Sequence, residues 1–597
     1  MAAFAFGQTI QPGSFKHIII VVQENRTPDN LFGASTMVGN TCGQEPNPLI
    51  PGADIDNGGY GWVPASGGTR QWELICNMSL PLDGWDAEQY NGGAIGPIDP
   101  DHSYDGEYPT PWGWVLDYNG GAMDGFCHGP GYVLGALHPC PSYSYVPAAD
   151  PNGDITPYFS TAENYGFANY MFQSSEGPSQ PAHQFLFTGT SAPVAPNDQD
   201  QYEWYWDFVA ELASDQGYPA GCPYTGGTKD YWPGWVQPDG VPEPDQRNSE
   251  CYAHDSLVTA AADCGPTYNC DRHIVSWGYY VEATGSKDQP SGMTIWDAPA
   301  NIPEACYGST SGSGNCGGTE WSNHILIPKG PIPYRPGSFY SWAPIFDDIL
   351  ACQLPAISWV IPDMQWSDHP LGTAGQPTPV YGPSWVADII DVVGQSYALT
   401  NQNCDYWGVG TGSTNPEPTA IFVVWDDWGG WFDHVKPWIA RQQNAQQGYT
   451  ECDPPGQWGC GYTDGIRVPL LVVSPYTPAG YVSGKCGVTG YPACGPTTSE
   501  VFPYVHDFGS ILGLTEWNFG MPQIDKADKG YADYNAPDWQ QNFSIPPLSD
   551  FFVPQGRTFT KINIPDAGPD YKCFQSHQKS GTCPLDSTWT PGPPDSY

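Results

Sequence analysis

Glu24 and Asn25 follow directly on the apolar run Ile18-Ile19-Ile20-Val21-Val22, with only Gln23 between. A β-branched run of that length predicts a buried strand, so a carboxylate and a carboxamide are delivered at its C-terminal end. Much later the arrangement recurs. Ile421-Phe422-Val423-Val424 predicts a second buried strand, ending in Trp425-Asp426-Asp427, a Gly429-Gly430 turn and Asp433-His434. Open α/β sheets place ligands in the crevice beyond the carboxyl ends of their strands, where the two acidic tips can meet. The carboxylates of Glu24, Asp426 and Asp427 with the amide oxygen of Asn25 make a hard-oxygen set suited to one divalent cation; Ca2+, Mg2+, Mn2+ and Zn2+ are all compatible. Asp and Asn after a strand are also ordinary turn formers, and for either pair alone that reading stays open.

The elements that must position these residues follow from pattern. Strands are predicted at His17–Val22, Phe185–Phe187, Ile357–Ile361, Ile421–Val424 and Val468–Val473, and helices at Ser341–Cys352, Ser384–Ser396 and Ser499–Leu512. Thr498-Ser499-Glu500 opens the last of these, whose apolar residues recur at helical spacing. Alternation of strands and helices predicts an α/β fold with a mainly parallel sheet covered on both sides. The two halves of the acidic set lie at opposite ends of the chain and must fold together. Residues 1–552 are therefore expected to form one domain, with insertions at about 41–98 and 202–340, and 553–597 to form a C-terminal appendage. The insertions, rich in Gly, Pro, Tyr and Trp, read as long ordered loops with little regular structure, held by disulfides.

Ordered motifs give a resemblance. Phe15-Lys16-His17-Ile18-Ile19-Ile20-Val21-Val22-Gln23-Glu24-Asn25-Arg26-Thr27-Pro28-Asp29-Asn30-Leu31-Phe32-Gly33 resembles the opening motif of the bacterial phosphoesterase family that contains phospholipases C and acid phosphatases. Asp99-Pro100-Asp101-His102-Ser103 is similar to its first histidine motif, Gly177-Pro178-Ser179-Gln180-Pro181 to its nucleophile segment, and Leu354–Pro362 running on to Ser367-Asp368-His369-Pro370 to its second histidine segment. Asp426-Asp427-Trp428-Gly429-Gly430-Trp431-Phe432-Asp433-His434-Val435 resembles its late acidic motif, and Gly465–Ser483 and His506–Phe519 complete the order. The resemblance implies an alkaline-phosphatase-like sandwich with a mainly parallel central sheet flanked by helices, holding a metal and a hydroxyl nucleophile. It places Glu24, Asn25, Asp426 and Asp427 at the metal-ligand positions and Ser179 at the nucleophile. His102 and His369 take positions that contact the phosphoryl group or supply protons, with His434 a further member. Ala182 and His183 depart from the phospholipase pattern, where Asn and Arg are common, so the substrate contacts beside the nucleophile differ here.

The chemistry agrees with this mapping. A serine hydroxyl is a weak nucleophile near neutral pH, and a divalent cation beside it favours the alkoxide. Phosphoryl transfer asks chiefly for positioning and charge neutralisation, and a phosphoserine intermediate follows. Each residue also has a plainer reading. Ser179 sits in a Gly/Pro-rich stretch that would serve as a loop. His102 suits a solvated turn, His369 precedes a proline and so is extended under either reading, and His183 would serve to bond nearby backbone. His128 and His138 flank Cys127 and Cys140; a disulfide explains that group better than a zinc site.

Composition points to export. Nineteen Lys and Arg against 64 Asp and Glu give a net charge of −45 and a pI near 4.1. Such a surface repels nucleic acid and anionic membranes at neutral pH. Charged residues are only 14% of the chain and aromatics another 14%, which marks a folded acidic protein rather than a disordered one. As pH falls the carboxylates protonate and self-repulsion fades, so activity is expected at acid pH. Eighteen cysteines with no Cys-x-x-Cys pair predict an oxidising compartment, secreted or periplasmic. Local bridges are expected, among them Cys306 with Cys316, Cys486 with Cys494 and, over a longer loop, Cys352 with Cys404. Met1 to Ile10 is too short for a complete export leader, which fits removal of a presequence. No apolar run long enough to span a membrane occurs elsewhere.

The substrate is expected to be a small-molecule or lipid phosphate ester. Phosphomonoester hydrolysis is favoured over a phospholipase C acting on diesters such as phosphatidylcholine. Trp and Tyr can cage a choline by cation-π attraction, but 25 Trp and 36 Tyr spread along the chain read first as packing residues. A reading of another class is a secreted binding or surface-layer protein on a retired scaffold. Joint retention of Glu24, Asn25, Ser179, Asp426 and Asp427 argues against it.

Overall fold

The computed structural model describes residues 10–33, 49–56, 58–64, 70–76, 78–79, 117–118, 121–126, 144–146, 155–174, 179–190, 255–262, 275–281, 296–308, 316–326, 343–363, 366–369, 381–438, 464–489, 491–494, 504–524, 531–538, 545–565 and 569–576. The strands of its main sheet are, in chain order, β1 (His17–Gln23), β2 (Gly166–Ala168), β3 (Trp277–Tyr280), β4 (Ile325–Leu326), β5 (Ile357–Val360), β6 (Thr419–Trp425), β7 (Leu470–Val473) and β8 (Tyr481–Ser483). They lie in the order β8-β2-β7-β6-β1-β5-β3-β4. β1 is parallel to both its neighbours, β6 and β5; β5 with β3, β3 with β4 and β2 with β8 are also parallel, while β7 runs antiparallel to β6 and β2. The mainly parallel α/β sheet expected from the pattern is present.

Every residue of β1 and β6 is buried. Strands covered on both faces need apolar residues at every position, which is why these segments read as continuous aliphatic runs. The principal helices are α1 (Pro28–Phe32), α2 (Thr156–Asn164), α3 (Ser179–Thr188), α4 (Pro344–Leu350), α5 (Gly382–Gly394) and α6 (Phe508–Phe519). α2 and α4 contact α5, and α3 contacts α6. The register of β1 on β6 fixes which residues emerge side by side beyond the sheet, because Gln23 pairs with Trp425 at the last rung of the ladder.

Three expectations are corrected. Phe185–Phe187 is helix, not strand: it lies inside α3, where Ala182, Phe185 and Leu186 recur at helical spacing and are buried. A short apolar run does not discriminate the two periods, and Pro181 falls in the first turn, where a missing N–H costs no helical bond. The late helix begins not at Ser499 but at Phe508. Asp507 caps it by accepting from Ser510 N at 3.0 Å, while Asp507 N donates back to Ser510 Oγ at 3.1 Å; residues 504–507 ahead of that cap are non-helical, and Thr498–Glu500 lie outside the described residues. Finally, the stretch 202–340 contributes β3 and β4 to the main sheet, and 41–98 carries a hairpin of Gly58–Pro64 with Arg70–Cys76. Their aromatic content serves sheet as well as loop.

Disulfides Cys306–Cys316, Cys352–Cys404 and Cys486–Cys494 are formed as expected. The described part of the appendage lies along the domain: Trp407 Nε1 donates to Arg557 O at 2.8 Å, and Trp366 and Phe574 meet edge to face at 5.4 Å.

Candidate active site

Because Gln23 and Trp425 end the ladder side by side, Glu24 and Asn25 leave β1 beside Asp426 and Asp427 leaving β6. Asn25 N donates to Asp426 Oδ1 at 2.9 Å, and Asp427 N donates to the same oxygen at 2.7 Å. That oxygen is fully engaged by backbone, whereas Asp426 Oδ2 is buried without a hydrogen-bond partner. Asp427 divides its oxygens in the same way. Its Oδ1 accepts from Gly429 N at 2.6 Å, and its Oδ2 accepts from the Ser179 hydroxyl at 3.0 Å. Asn25 has a positive φ of 52°, and its Oδ1 lies 3.5 Å from Ser179 Oγ. The turn after the acidic pair requires glycine: Gly429 has φ +59°, and a Cβ there would stand 2.7 Å from both Asn25 Cβ and Asn25 O.

Ser179 is the first residue of α3, and His183 follows one turn later on the same face. His183 Nε2 lies 3.3 Å from Glu24 Oε1 and 3.7 Å from Asp426 Oδ2. The other oxygen of Glu24 accepts from Trp296 Nε1 at 3.3 Å. Burial pushes the His183 pKa down to about 4 against the pull of Asp426, so the ring is neutral above that pH. Arg26, next along the chain, is committed elsewhere. Its Nε and Nη2 donate to Asp368 O at 2.9 and 2.7 Å, and its guanidinium lies 5.0 Å from the Trp431 ring centroid. The set of Glu24, Asn25, Asp426, Asp427 and Ser179 is thus assembled, almost wholly buried, around a carboxylate oxygen lacking a donor. Ionised carboxylates in such a place are costly unless a cation neutralises them, and the donors present fit a divalent metal ion.

The histidines fare differently. His369 is buried, its backbone N–H donating to Ser367 Oγ at 3.0 Å, directly after the carbonyl that Arg26 grips. His434 joins a separate network: its Nδ1 and Nε2 lie 2.7 Å from Asp29 Oδ2 and 3.1 Å from Asp54 Oδ1. Arg467 holds Asp433 at 2.9 Å and Asp29 at 3.2 Å in the same cluster. Burial opposes the charge on His434, but the two carboxylates outweigh it and the net shift is well upward. His102 lies outside the described residues, as do His128, His138, Cys127, Cys140 and residues 175–178.

Two other groupings invite a chemical reading and do not sustain it. Asp54 lies near Cys486 and Cys494, but those sulfurs are bonded to each other. Ser483 Oγ, His506 Nε2, His506 Nδ1 and Asp538 Oδ2 reproduce the distances of a hydrolytic triad, 2.9 and 2.7 Å. All three residues are at most 1% exposed. Burial lowers the His506 pKa, yet the charges of Asp538 and Asp550 outweigh it and the net shift is upward, away from a free general base.

Sequence reasoning passed over His183 and Trp296 as members of the set. The signal for His183 is its spacing of four from Ser179, which signifies a shared face only once the segment is read as helix.

Comparison with known proteins identifies a family. Residues 15–522 match the phosphoesterase family. Similar relatives are a non-hemolytic phospholipase C of Pseudomonas aeruginosa, 28% identical over 32% of this chain and 24% of the relative, and one of Burkholderia pseudomallei, 32% identical over 23% and 18%. Phospholipase C A of Mycobacterium tuberculosis is 29% identical over 26% and 25%. The chain thus spans about a quarter of the length of these relatives, or less. A solved protein in the alkaline phosphatase superfamily from Vibrio parahaemolyticus shares 8% identity over 62% of this chain and 61% of its own, with a TM-score of 0.24, too loose a likeness to argue from. With its matched region running from the first strand through the acidic motif to α6, the chain belongs to the phosphoesterase family.

Proposed function

We propose that this protein is an exported hydrolase of phosphate esters, working through a phosphoserine intermediate on Ser179. The observation that carries the reading is Ser179 Oγ at 3.0 Å from Asp427 Oδ2, beside the unpartnered oxygen of Asp426. Glu24, Asn25, Asp426 and Asp427 would hold one divalent cation, whose chemistry there is to neutralise phosphoryl charge and acidify the serine hydroxyl. Asp427 Oδ2 orients the hydroxyl and is placed to receive its proton. Ser179 Oγ then attacks phosphorus, the P–O bond to the alcohol breaks, and water hydrolyses the phosphoserine. Positioning at the start of α3 does the rest, since the serine is fixed by the helix and needs no rearrangement to reach its acceptor. His369, on the segment held by Arg26, and His102 are assigned to phosphoryl contact or proton supply.

Monoesters at acid pH are the favoured substrates. Supporting the acid preference, buried carboxyls remote from the site have raised pKa values, and a net charge of −45 repels itself less as pH falls. A phospholipase C reading has its own support, in the names of the similar relatives. Paired assays on p-nitrophenyl phosphate and p-nitrophenylphosphorylcholine, with and without chelator, decide between them. Hydrolysis of neither substrate by metal-loaded protein would overturn the proposal.

A further inference from the structure

Glu24 and Asp426 turn their carboxylates toward one imidazole nitrogen. The donor atoms of Glu24, His183 and Asp426 lie within 4.8 Å of one another, and all three residues are at most 1% exposed. A ring nitrogen carries at most one hydrogen whatever the charge of the imidazole, so His183 Nε2 satisfies at best one of the two carboxylates. Neither Asp426 Oδ2 nor His183 Nδ1 has a hydrogen-bond partner. An imidazole wedged among buried anions, with no donor for the second of them, is a poor hydrogen-bonding arrangement. It is a good ligating one. Donors bound tetrahedrally at about 2.1 Å stand about 3.4 Å apart, and here Nε2 is 3.3 Å from Glu24 Oε1 and 3.7 Å from Asp426 Oδ2.

We infer that His183 is a nitrogen ligand of the cation held by Glu24 and Asp426, so that the site selects an imidazole-preferring ion such as Zn2+ over Ca2+ or Mg2+. The inference rests on the proposed metal reading of the same residues and adds to it the identity of the donor and the class of ion. Hard cations are bound by oxygen donors alone, whereas imidazole suits zinc and its transition-metal neighbours. α3 then does two jobs from one face, presenting the nucleophile at Ser179 and the ligand one turn later at His183.

The test uses the full chain stripped by chelator. Calorimetric titration with Zn2+ and with Ca2+ is expected to show one tightly bound Zn2+ and weaker binding of Ca2+. His183→Gln is expected to lose about 100-fold or more in Zn2+ affinity, beyond what loss of an outer hydrogen-bond partner produces, with circular dichroism of the stripped protein unchanged. Independently of any variant, pulsed electron paramagnetic resonance of the Mn2+-loaded protein is expected to show nitrogen coupling from an imidazole. Mn2+ bound without such coupling, or a Zn2+ loss below about 10-fold in the variant, overturns His183 as a ligand and leaves the metal reading standing. Failure to take up Zn2+, Ca2+ or Mn2+ at all overturns both.

Discussion

Ser179 Oγ lies 3.0 Å from Asp427 Oδ2 although 248 residues separate them in sequence. The contact joins the start of a helix to the end of a central strand, and as one buried hydrogen bond to a carboxylate it is worth about 1.5–3 kcal/mol. Ser179→Ala should therefore lower the urea midpoint only modestly. By contrast kcat should fall by about 10^4-fold or more, as removal of a covalent nucleophile does, and labelled phosphate should no longer be trapped on the acid-quenched protein. Trapping at the wild-type level in the variant would remove Ser179 from the reaction.

Chelation should cost stability as well as activity. The carboxylates of Glu24, Asp426 and Asp427 are wholly buried together, so on the proposed reading the folded state would bind a cation that the unfolded chain cannot gather. At a free metal concentration a hundred times the dissociation constant this linkage is worth about 2.7 kcal/mol. Thermal scans with and without chelator measure it, and an unchanged Tm would mean that the cage binds no ion.

Much of this site is legible in the sequence alone. The aliphatic runs before Glu24 and Asp426 identify two central strands because strands buried on both faces must be apolar throughout, and their polar ends define the crevice. What pattern does not supply is the rung-by-rung register that sets Gln23 against Trp425, since parallel neighbours far apart in sequence leave no local trace of pairing. Nor is α3 visible, because Phe185-Leu186-Phe187 satisfies either period; with the helix missed, His183 loses its relation to Ser179. Strands β3 and β4 are hidden for a related reason, being short segments in a Gly-rich background. The charge network of Asp29, Asp433, His434 and Arg467 is tertiary in origin, and only the Asp433-His434 half shows in sequence.

Gly429 is the residue on which the Asn25 position depends. At φ +59° an alanine is strained, and its Cβ would stand 2.7 Å from Asn25 Cβ and from Asn25 O. Gly429→Ala should push Asn25 away from Ser179 and weaken metal binding by about tenfold or more, with a stability loss of about 1–3 kcal/mol. Calorimetry and urea unfolding of the same preparation measure both. Wild-type metal affinity would show that Asn25 does not contribute to the cage.

His434 is expected to matter more to stability than to chemistry. Both its ring nitrogens are paired to carboxylates, and its side chain is 20% exposed. Removing one partner of a buried ion network costs about 3–5 kcal/mol, because the remaining charges lose their compensation. His434→Ala should show that order of loss in urea while the folded fraction keeps kcat within about tenfold. A much larger fall in kcat with stability preserved would instead place His434 in proton transfer or phosphoryl contact.

The pH dependence of stability is set in part at α5, away from the acidic set at the ends of β1 and β6. Burial, and then the charge of Asp391, holds the Asp388 pKa well above its usual value; burial raises Asp391 to about 7. A carboxyl whose folded pKa exceeds its unfolded value binds a proton more readily in the folded state. Its contribution is thus fully present below pH about 4 and is lost as pH rises through about 7. Asp54 acts in the opposite sense: burial would raise its pKa, but the hydrogen bond and charge of His434 lower it, so its contribution fades as pH falls below about 4. Taken by themselves these three carboxyls contribute most near pH 4–5, and the α5 pair pulls Tm down toward pH 8. Asp388→Asn removes a buried charge that must form at high pH, so it should raise Tm at pH 8, leave it little changed at pH 4.5, and flatten the profile between. Thermal unfolding of the chelator-treated protein across that range is the measurement, and a wild-type Tm that climbs from pH 5 to pH 8 would contradict the assignment of these carboxyls.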